Sequence, residues 1–204
     1  MAKQDESINP RLLAAARKEF CSQGFAKAST NRICAEAGVT TGALFKRYKN
    51  KDELFCALVA DTAENFKEML KSQYTSFGEL SVKEQRENAV QPKGYQKPMQ
   101  FIYERLDDFR LLLFSAEGSS YEHYKEEITD IIAEATVSFM RMTESKAMLE
   151  GEEVSEEVIR YLIGMQQHAL FEIIKKQTDY EQACKHATQV QSFFDLAWAG
   201  LFKL

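Results

Sequence analysis

The feature that most constrains this 204-residue chain is the stretch from Ser29 to Tyr48, which reads as two short helices broken at Gly38-Val39-Thr40. Ser29 and Thr30 offer side-chain oxygens that can accept from the unpaired N–H groups of a helix start, and Ile33 and Ala37 share one face at a spacing of four. Gly38 falls where a left-handed residue turns the chain without a steric penalty. Thr40 or Thr41 then begins a second short helix that runs to about Tyr48 and points Leu44 inward, while Val39 completes a small apolar seam. Cys34 occupies the crossing point, where only a small side chain fits. Helices this short are marginal in isolation, so neighbouring elements must clasp them; Phe20, Phe25 and Leu54 are the expected contributors.

The flanking sequence supplies those elements. Asn9-Pro10 is expected as cap and first helical residue of a helix over about 10–23, with Ile8 and Leu13 placed as a hydrophobic staple, and Gly24 is its stop signal. Asn50 followed by Glu53 resembles a capping box opening a long helix with Leu54, Leu58, Phe66 and Met69/Leu70 on its inner side. The stretch 77–98, with Gly78, Gly94, Pro92 and Pro98, predicts a short helix set in loop and a hinge-like joint. Further amphipathic segments follow at about 96–107, 108–116, 120–148, 155–177 and 180–203, broken at Gly118-Ser119-Ser120 and Gly151-Glu152-Glu153. Only three prolines and nine glycines punctuate the chain, and no alternating strand pattern of useful length or internal repeat is present. The fold class is all-α.

The formal charge of −5 looks unfavourable for a polyanion partner, but it is a sum over unlike parts. Residues 1–60 hold 10 Lys+Arg against 6 Asp+Glu, a balance of +4, and the remainder carries −9. Cys21, Cys34, Cys56 and Cys184 are scattered without zinc-site spacing, and His123, His168 and His186 show no ligand pattern, so no metal and no cofactor are expected. The opening residues lack an apolar signal core, and no run of some 18 apolar residues is free of charge. A soluble, cytoplasmic protein with free thiols and no membrane partner is the expectation. An enzyme is not expected: there is no nucleophile beside a base, no convincing carboxylate pair and no glycine-rich phosphate loop.

Two short helices across a glycine turn form a helix-turn-helix, in which the first helix braces on the DNA backbone and the second enters the major groove. The pattern Leu12-Leu13-x-Ala15-Ala16-x-x-x-Phe20, Gly24-Phe25, and Ile33-x-x-x-Ala37-Gly38-Val39-Thr40-x-Gly42-x-Leu44-Phe45-x-x-Tyr48-x-Asn50-Lys51-x-x-Leu54 resembles the N-terminal domain of the tetracycline-repressor (TetR) family. The resemblance covers about residues 8–57. It implies a helix-turn-helix DNA-binding domain over residues 1–55 and a larger helical ligand-binding and dimerisation domain over 56–204. It further implies a bacterial homodimeric regulator, usually a repressor, that binds a palindromic double-stranded operator and is released by a small, largely apolar effector.

Four positions depart from the family pattern. Ala28 replaces a frequent hydroxyl residue, Cys34 a frequent alanine, Glu19 a frequent leucine and Phe45 a frequent tyrosine. That tyrosine commonly reaches a phosphate through its hydroxyl; Phe45 has none, and packing is its expected role. Ser29 and Thr30, at a helix N-terminus, are expected at a phosphate. Lys51 matches a family lysine that contacts the backbone. Thr40, Thr41, Gly42, Ala43, Lys46 and Arg47 lie on or beside the recognition helix, with Thr41 and Lys46 assigned to base edges, Arg47 to backbone or base, and Asn31 and Arg32 to neighbouring bases or phosphates.

The C-terminal part is rich in aromatic and thioether side chains suited to an adaptable apolar cavity, and Phe101, Tyr103, Phe114, Tyr121, Tyr124, Phe139, Met140 and Met165 are the candidate effector contacts. In the last two helices, Val158, Leu162, Met165, Ala169 and Ile173 form one stripe and Cys184, Ala187, Val190, Phe194, Trp198 and Leu201 another. Each stripe can face its own core or a symmetry mate. Their place in the chain matches the family's dimer bundle, which sets two recognition helices against a palindrome.

Overall fold

The structure is a computed structural model and describes residues 8–88, 95–176 and 179–203. Its helices are α1 (Ile8–Lys27), α2 (Thr30–Ala37), α3 (Thr41–Phe45), α4 (Lys51–Gly78), α5 (Val82–Asn88), α6 (Gln96–Glu104), α7 (Leu106–Phe114), α8 (Tyr124–Thr143), α9 (Glu156–Lys176) and α10 (Tyr180–Phe202). The fold is all-α, with an N-terminal helix-turn-helix domain and a larger C-terminal helical part. By compactness the chain divides into one unit running through Glu64 and including Arg105–Lys125, and a second comprising Asn65–Glu104 with Glu126–Leu204.

The first unit is built around three rings. Phe20 lies 5.1 Å from Phe55 and 5.8 Å from Phe25, and Phe25 lies 5.3 Å from Phe55, two of the three pairs being edge-on. Leu12, Ile33, Leu44 and Leu54 are fully buried as well, and α1 packs along α2, which in turn packs on α3. The segment 105–125 completes this core through polar anchors. The Ser115 carbonyl accepts from Phe25 N at 2.7 Å, Asp108 accepts from Arg17 and, at 2.6 Å, from the Thr62 hydroxyl, and Asp52 accepts from Ser120 N at 2.8 Å.

Helix ends differ from the sequence expectation where side chains or backbone override periodicity. Helix α1 already includes Ile8, so Asn9 is not its cap; Asn9 instead accepts from the Tyr48 hydroxyl at 2.9 Å, and Pro10 sits in a first turn, where its missing N–H costs nothing. At Gly24 (φ 72°, ψ 163°) α1 breaks and then resumes for one turn to Lys27. The helix expected over 120–148 is shorter at both ends. Gly118 (φ +82°) turns the chain, Ser119 Oγ donates to the Ala116 carbonyl at 2.7 Å and accepts from Tyr121 N at 3.1 Å, and helix starts only at Tyr124. Its far end closes as a Schellman motif, with Ser145 N bonded to the Met140 carbonyl and Glu144 at φ 50°. The break at Gly151 holds a two-residue hairpin, β1 (Met148–Leu149) and β2 (Glu152–Glu153), whose turn residues Glu150 and Gly151 both have positive φ, as a type I′ turn requires.

In the second unit, α5 starts with a reciprocal capping box: Ser81 N donates to Glu84 at 3.0 Å and Glu84 N donates to Ser81 Oγ at 3.3 Å. The hinge-like joint expected over 77–98 lies partly outside the described residues, including Pro92 and Gly94. Helices α9 and α10 pack on one cluster of Ala133, Ala147, Ile159, Ile163 and Leu201 and on a second of Met99, Ala183 and Ala187. Trp198 Nε1 donates to the buried Gln166 at 3.1 Å. Outside that packing, Val158, Tyr161 and Met165 on α9 and Phe193 and Leu196 on α10 remain exposed. Of these, Tyr161, Phe193 and Leu196 fall outside the stripes drawn from sequence; periodicity marks apolar faces but not which one is covered.

Candidate nucleic-acid interface

Helix α2 is fixed at both ends by local chemistry. Ser29 adopts extended backbone and its Oγ accepts from Arg32 N at 3.4 Å. Gly38 (φ 65°, ψ 39°) ends the helix in a Schellman motif, with Gly38 N bonded to the Ala35 carbonyl at 3.2 Å and Val39 N to the Cys34 carbonyl at 3.0 Å. Helix α3 follows at once. Thr40 caps it by accepting from Ala43 N at 3.1 Å, and helical bonding continues past Phe45, since Tyr48 N donates to the Leu44 carbonyl at 3.0 Å. Ile33, Cys34, Ala37 and Leu44 are buried, which pins the two helices together and fixes which side of α3 faces outward.

That outward side carries Thr41, Gly42, Phe45, Lys46 and Lys49, all exposed. Ala43 is half-buried, and Arg47 folds back, donating from Nη1 to the Ala43 carbonyl at 3.2 Å. Phe45 does not pack inward as expected; it is 47% exposed, because burying Leu44 and Tyr48 on one side of a single turn leaves position 45 on the other. The hydroxyls of Ser29 and Thr40 are already acceptors within the caps, while Thr30 and Asn31 lie at the start of α2.

Two cations assigned to DNA have partners inside the protein. Glu19, where leucine is frequent, accepts from Arg32 Nη2 at 2.5 Å, from Arg32 Nε at 2.9 Å and from Ser29 N at 2.8 Å. The Arg32 hydrogen bond holds the Glu19 carboxyl below its ordinary range; desolvation opposes this and the Ser29 N–H assists it. Lys51 Nζ donates to the carbonyls of Phe25 at 2.7 Å and of Ala26 and Ala28 at 3.3 Å, and stands 4.4 Å from the centre of the Phe25 ring. It therefore closes the C-terminal end of α1, where unpaired carbonyls favour a cation. Asn50 and Glu53 form the expected capping arrangement: Asn50 accepts from Glu53 N at 2.8 Å and Glu53 from Lys49 N at 2.8 Å.

The candidate effector contacts do not gather in one unit. Phe114, Tyr121 and Tyr124 belong to the first; Tyr124 is fully buried with its hydroxyl donating to the Ala63 carbonyl at 3.2 Å, and Lys125 lies over the Phe114 ring. Phe101, Tyr103, Phe139 and Met140 belong to the second, where Phe101 lies 5.7 Å from Phe66 and Tyr103 lies 5.5 Å from Tyr180. Met165, expected at a cavity, is instead exposed on α9, because Ile163, Gln166 and Gln167 take the inward positions around it.

Among the described residues no group of three or more His, Cys, Asp or Glu side chains is placed to hold a metal ion, and no helix is long and apolar enough to cross a membrane. A capped helix-turn-helix with an exposed face of hydroxyls, cations and one aromatic ring defines a DNA-binding protein of the major-groove class. The sequence model for bacterial regulatory proteins of the tetR family matches residues 12–58. Residues 12–58 therefore carry a DNA-binding domain of the tetR type.

Solved structures with the same fold include a tetR-family bacterial regulatory protein from Rhodococcus RHA1, with TM-score 0.57 and 14% identity over 95% of this chain and 96% of that one. The transcriptional regulator FadR of Bacillus subtilis, solved in complex with stearoyl-CoA, matches with TM-score 0.50 and 14% identity over 94% of this chain and 98% of that one.

Proposed function

We propose that this chain is a cytoplasmic repressor that binds a palindromic operator as a homodimer and is released by a small, largely apolar effector held in the C-terminal part. The observation that carries the DNA-binding half is the outward face of α3, with Thr41, Gly42, Phe45 and Lys46 exposed opposite a fully buried Leu44. In this reading Ser29, Thr30, Asn31 and Thr40 approach phosphates, Thr41, Ala43 and Lys46 face base edges, and Arg47 reaches the backbone after leaving the Ala43 carbonyl. Arg32 and Lys51 act from behind, one restrained by Glu19 and the other bracing α1. The division into a DNA-binding domain over 1–55 and an effector and dimer domain over 56–204 belongs to the same proposal.

Dimerisation is supported by the exposed apolar side chains Val158, Tyr161 and Met165 on α9 and Phe193 and Leu196 on α10, the last two 67% and 78% exposed. On α10, Ala197 and Gly200 continue that face with small residues that permit close approach of a second helix. The effector class is supported by the paired rings of the second unit, and the B. subtilis neighbour's stearoyl-CoA supplies a first probe.

The test is to select duplexes from a random pool with the full chain and measure affinity against salt. Sequence-selective binding of a two-fold symmetric site, log-linear in salt, is expected. Leu196→Glu should give a monomer in sedimentation equilibrium with weakened operator binding. Binding to all duplexes alike, or a strictly monomeric wild type, would overturn the reading. Stearoyl-CoA is expected to release the operator and to change the emission of the sole tryptophan, Trp198.

A further inference from the structure

Within the described residues of the first unit, Phe45 is the single large apolar side chain left exposed; the other exposed ones lie in the second unit. Its surroundings are cationic and hydroxylic. Lys46 follows it, Lys49 is exposed in the bend that leads into α4, and Thr41 lies one turn before. The neighbouring carboxylate of Glu53 is turned to Lys49 N and Nζ. An apolar tip with lysines close by in the chain fits a polyanion that carries an apolar spot, and it suits a phosphate poorly, since a benzyl side chain has no donor. In the major groove the one apolar group on any base edge is the C5 methyl of thymine.

Resting on the operator-binding function above, we propose that Phe45 is a specificity-determining residue that packs its ring against a thymine C5 methyl in each half-site. The base step is read by burial of that methyl in place of a hydrogen bond. Gly42, one turn before Phe45, has open space around it: a Cβ there would meet nothing nearer than Thr40 Oγ1 at 3.9 Å, so the ring is not screened from an approaching base edge.

The test uses the full chain and a duplex selected from the random pool. Each symmetric pair of thymines in the site is replaced by 2′-deoxyuridine, which removes the methyl and leaves every hydrogen-bonding group. At one pair, wild-type affinity is expected to fall about fourfold per methyl, about fifteenfold for the pair. Phe45→Ala should bind less tightly and lose that sensitivity, and Phe45→Leu, which keeps an apolar tip, should retain part of it. Folding of both variants is checked by thermal unfolding; the deoxyuridine series on wild type does not depend on them. The proposal is overturned if no thymine pair responds in wild type, or if Phe45→Ala responds as wild type does. Sequence-selective, salt-dependent binding with no methyl effect removes this inference alone, whereas loss of all selectivity removes the operator-binding function with it.

Discussion

Replacing Lys51 by methionine separates a bracing role from a phosphate contact. Methionine keeps the apolar stem over Phe25 but strips the ammonium from three carbonyls, at 2.7, 3.3 and 3.3 Å, and from the ring 4.4 Å away. Hydrogen bonds to a charged group contribute about 1.5–3 kcal/mol when well formed, and a partly exposed cation–π contact about 0.5–1 kcal/mol. Two of the three bonds are long and the side chain is part-exposed, so the low end applies, a loss of about 2 kcal/mol. For a chain of this size that lowers the unfolding midpoint by about 4–8 °C. Far-ultraviolet circular dichroism, which follows the helix content, is the monitor. In parallel, the salt slope of operator binding should stay nearly unchanged. Were Lys51 a phosphate contact in each half of a dimer, its removal would make the slope shallower by about 1.8. An unchanged midpoint with that shallower slope would refute the bracing role, because it would mean that the ammonium leaves the α1 carbonyls for DNA.

Glu19→Gln should release Arg32 for phosphate, raising operator affinity and steepening the salt slope by about two per dimer; a slope equal to wild type would show that Arg32 stays out of reach of DNA. Because Glu19 titrates below its ordinary 4.5 in the folded chain, its stabilisation is present above that value and is lost as the pH falls through the lower folded value. Urea unfolding should therefore find Glu19→Gln less stable than wild type at pH 7, with the difference shrinking as the pH falls below 4.5 and through the lower folded value. Gly38→Ala should cost about 1–2 kcal/mol from the left-handed backbone alone, since the added Cβ would meet only Arg11 Nη1 at 3.7 Å; Gly38→Asn should cost less, and equal midpoints for all three would remove the strain account.

The first unit was legible in the sequence to the extent that its structure is local. Caps, a glycine turn and a four-residue apolar spacing each act within one or two turns, and Ser29, Gly38, Thr40 and Asn50 do in the fold what their types suggest. Phe20, Phe25 and Leu54 were legible as clasping residues because an undersized core needs them. What escaped depends on contacts between distant positions. Nothing near Asp108 marks it as the acceptor for Arg17 and Thr62, and nothing near Lys51 indicates that three carbonyls of residues 25–28 converge on it. On α9 and α10 the apolar positions outnumber those one core can cover, so sequence alone could not separate Ile163, buried, from Met165, exposed two positions later.

Glu19 and Phe45, two of the departures from the family pattern, act on the same surface in the same sense. Glu19 neutralises Arg32 and occupies Ser29 N, withdrawing one cation and one donor from the start of α2. Phe45 places an apolar ring where the family pattern has a hydroxyl, withdrawing a further donor from phosphate. Both reduce the part of binding that any duplex could satisfy, because phosphates are the same in every sequence and base edges are not. With Lys51 also engaged by α1, the outward cations are chiefly Lys46 and Lys49, and Lys49 is shared with Glu53 at 3.4 Å. In the proposed reading, a surface with so few unshared charges gains little from non-specific DNA, and a larger fraction of its operator affinity comes from groove contacts at Thr41, Phe45 and Lys46. The positive balance of residues 1–60 is thus a poor measure of how this domain holds DNA: much of that charge is spent inside the protein, on a helix end and on Glu19.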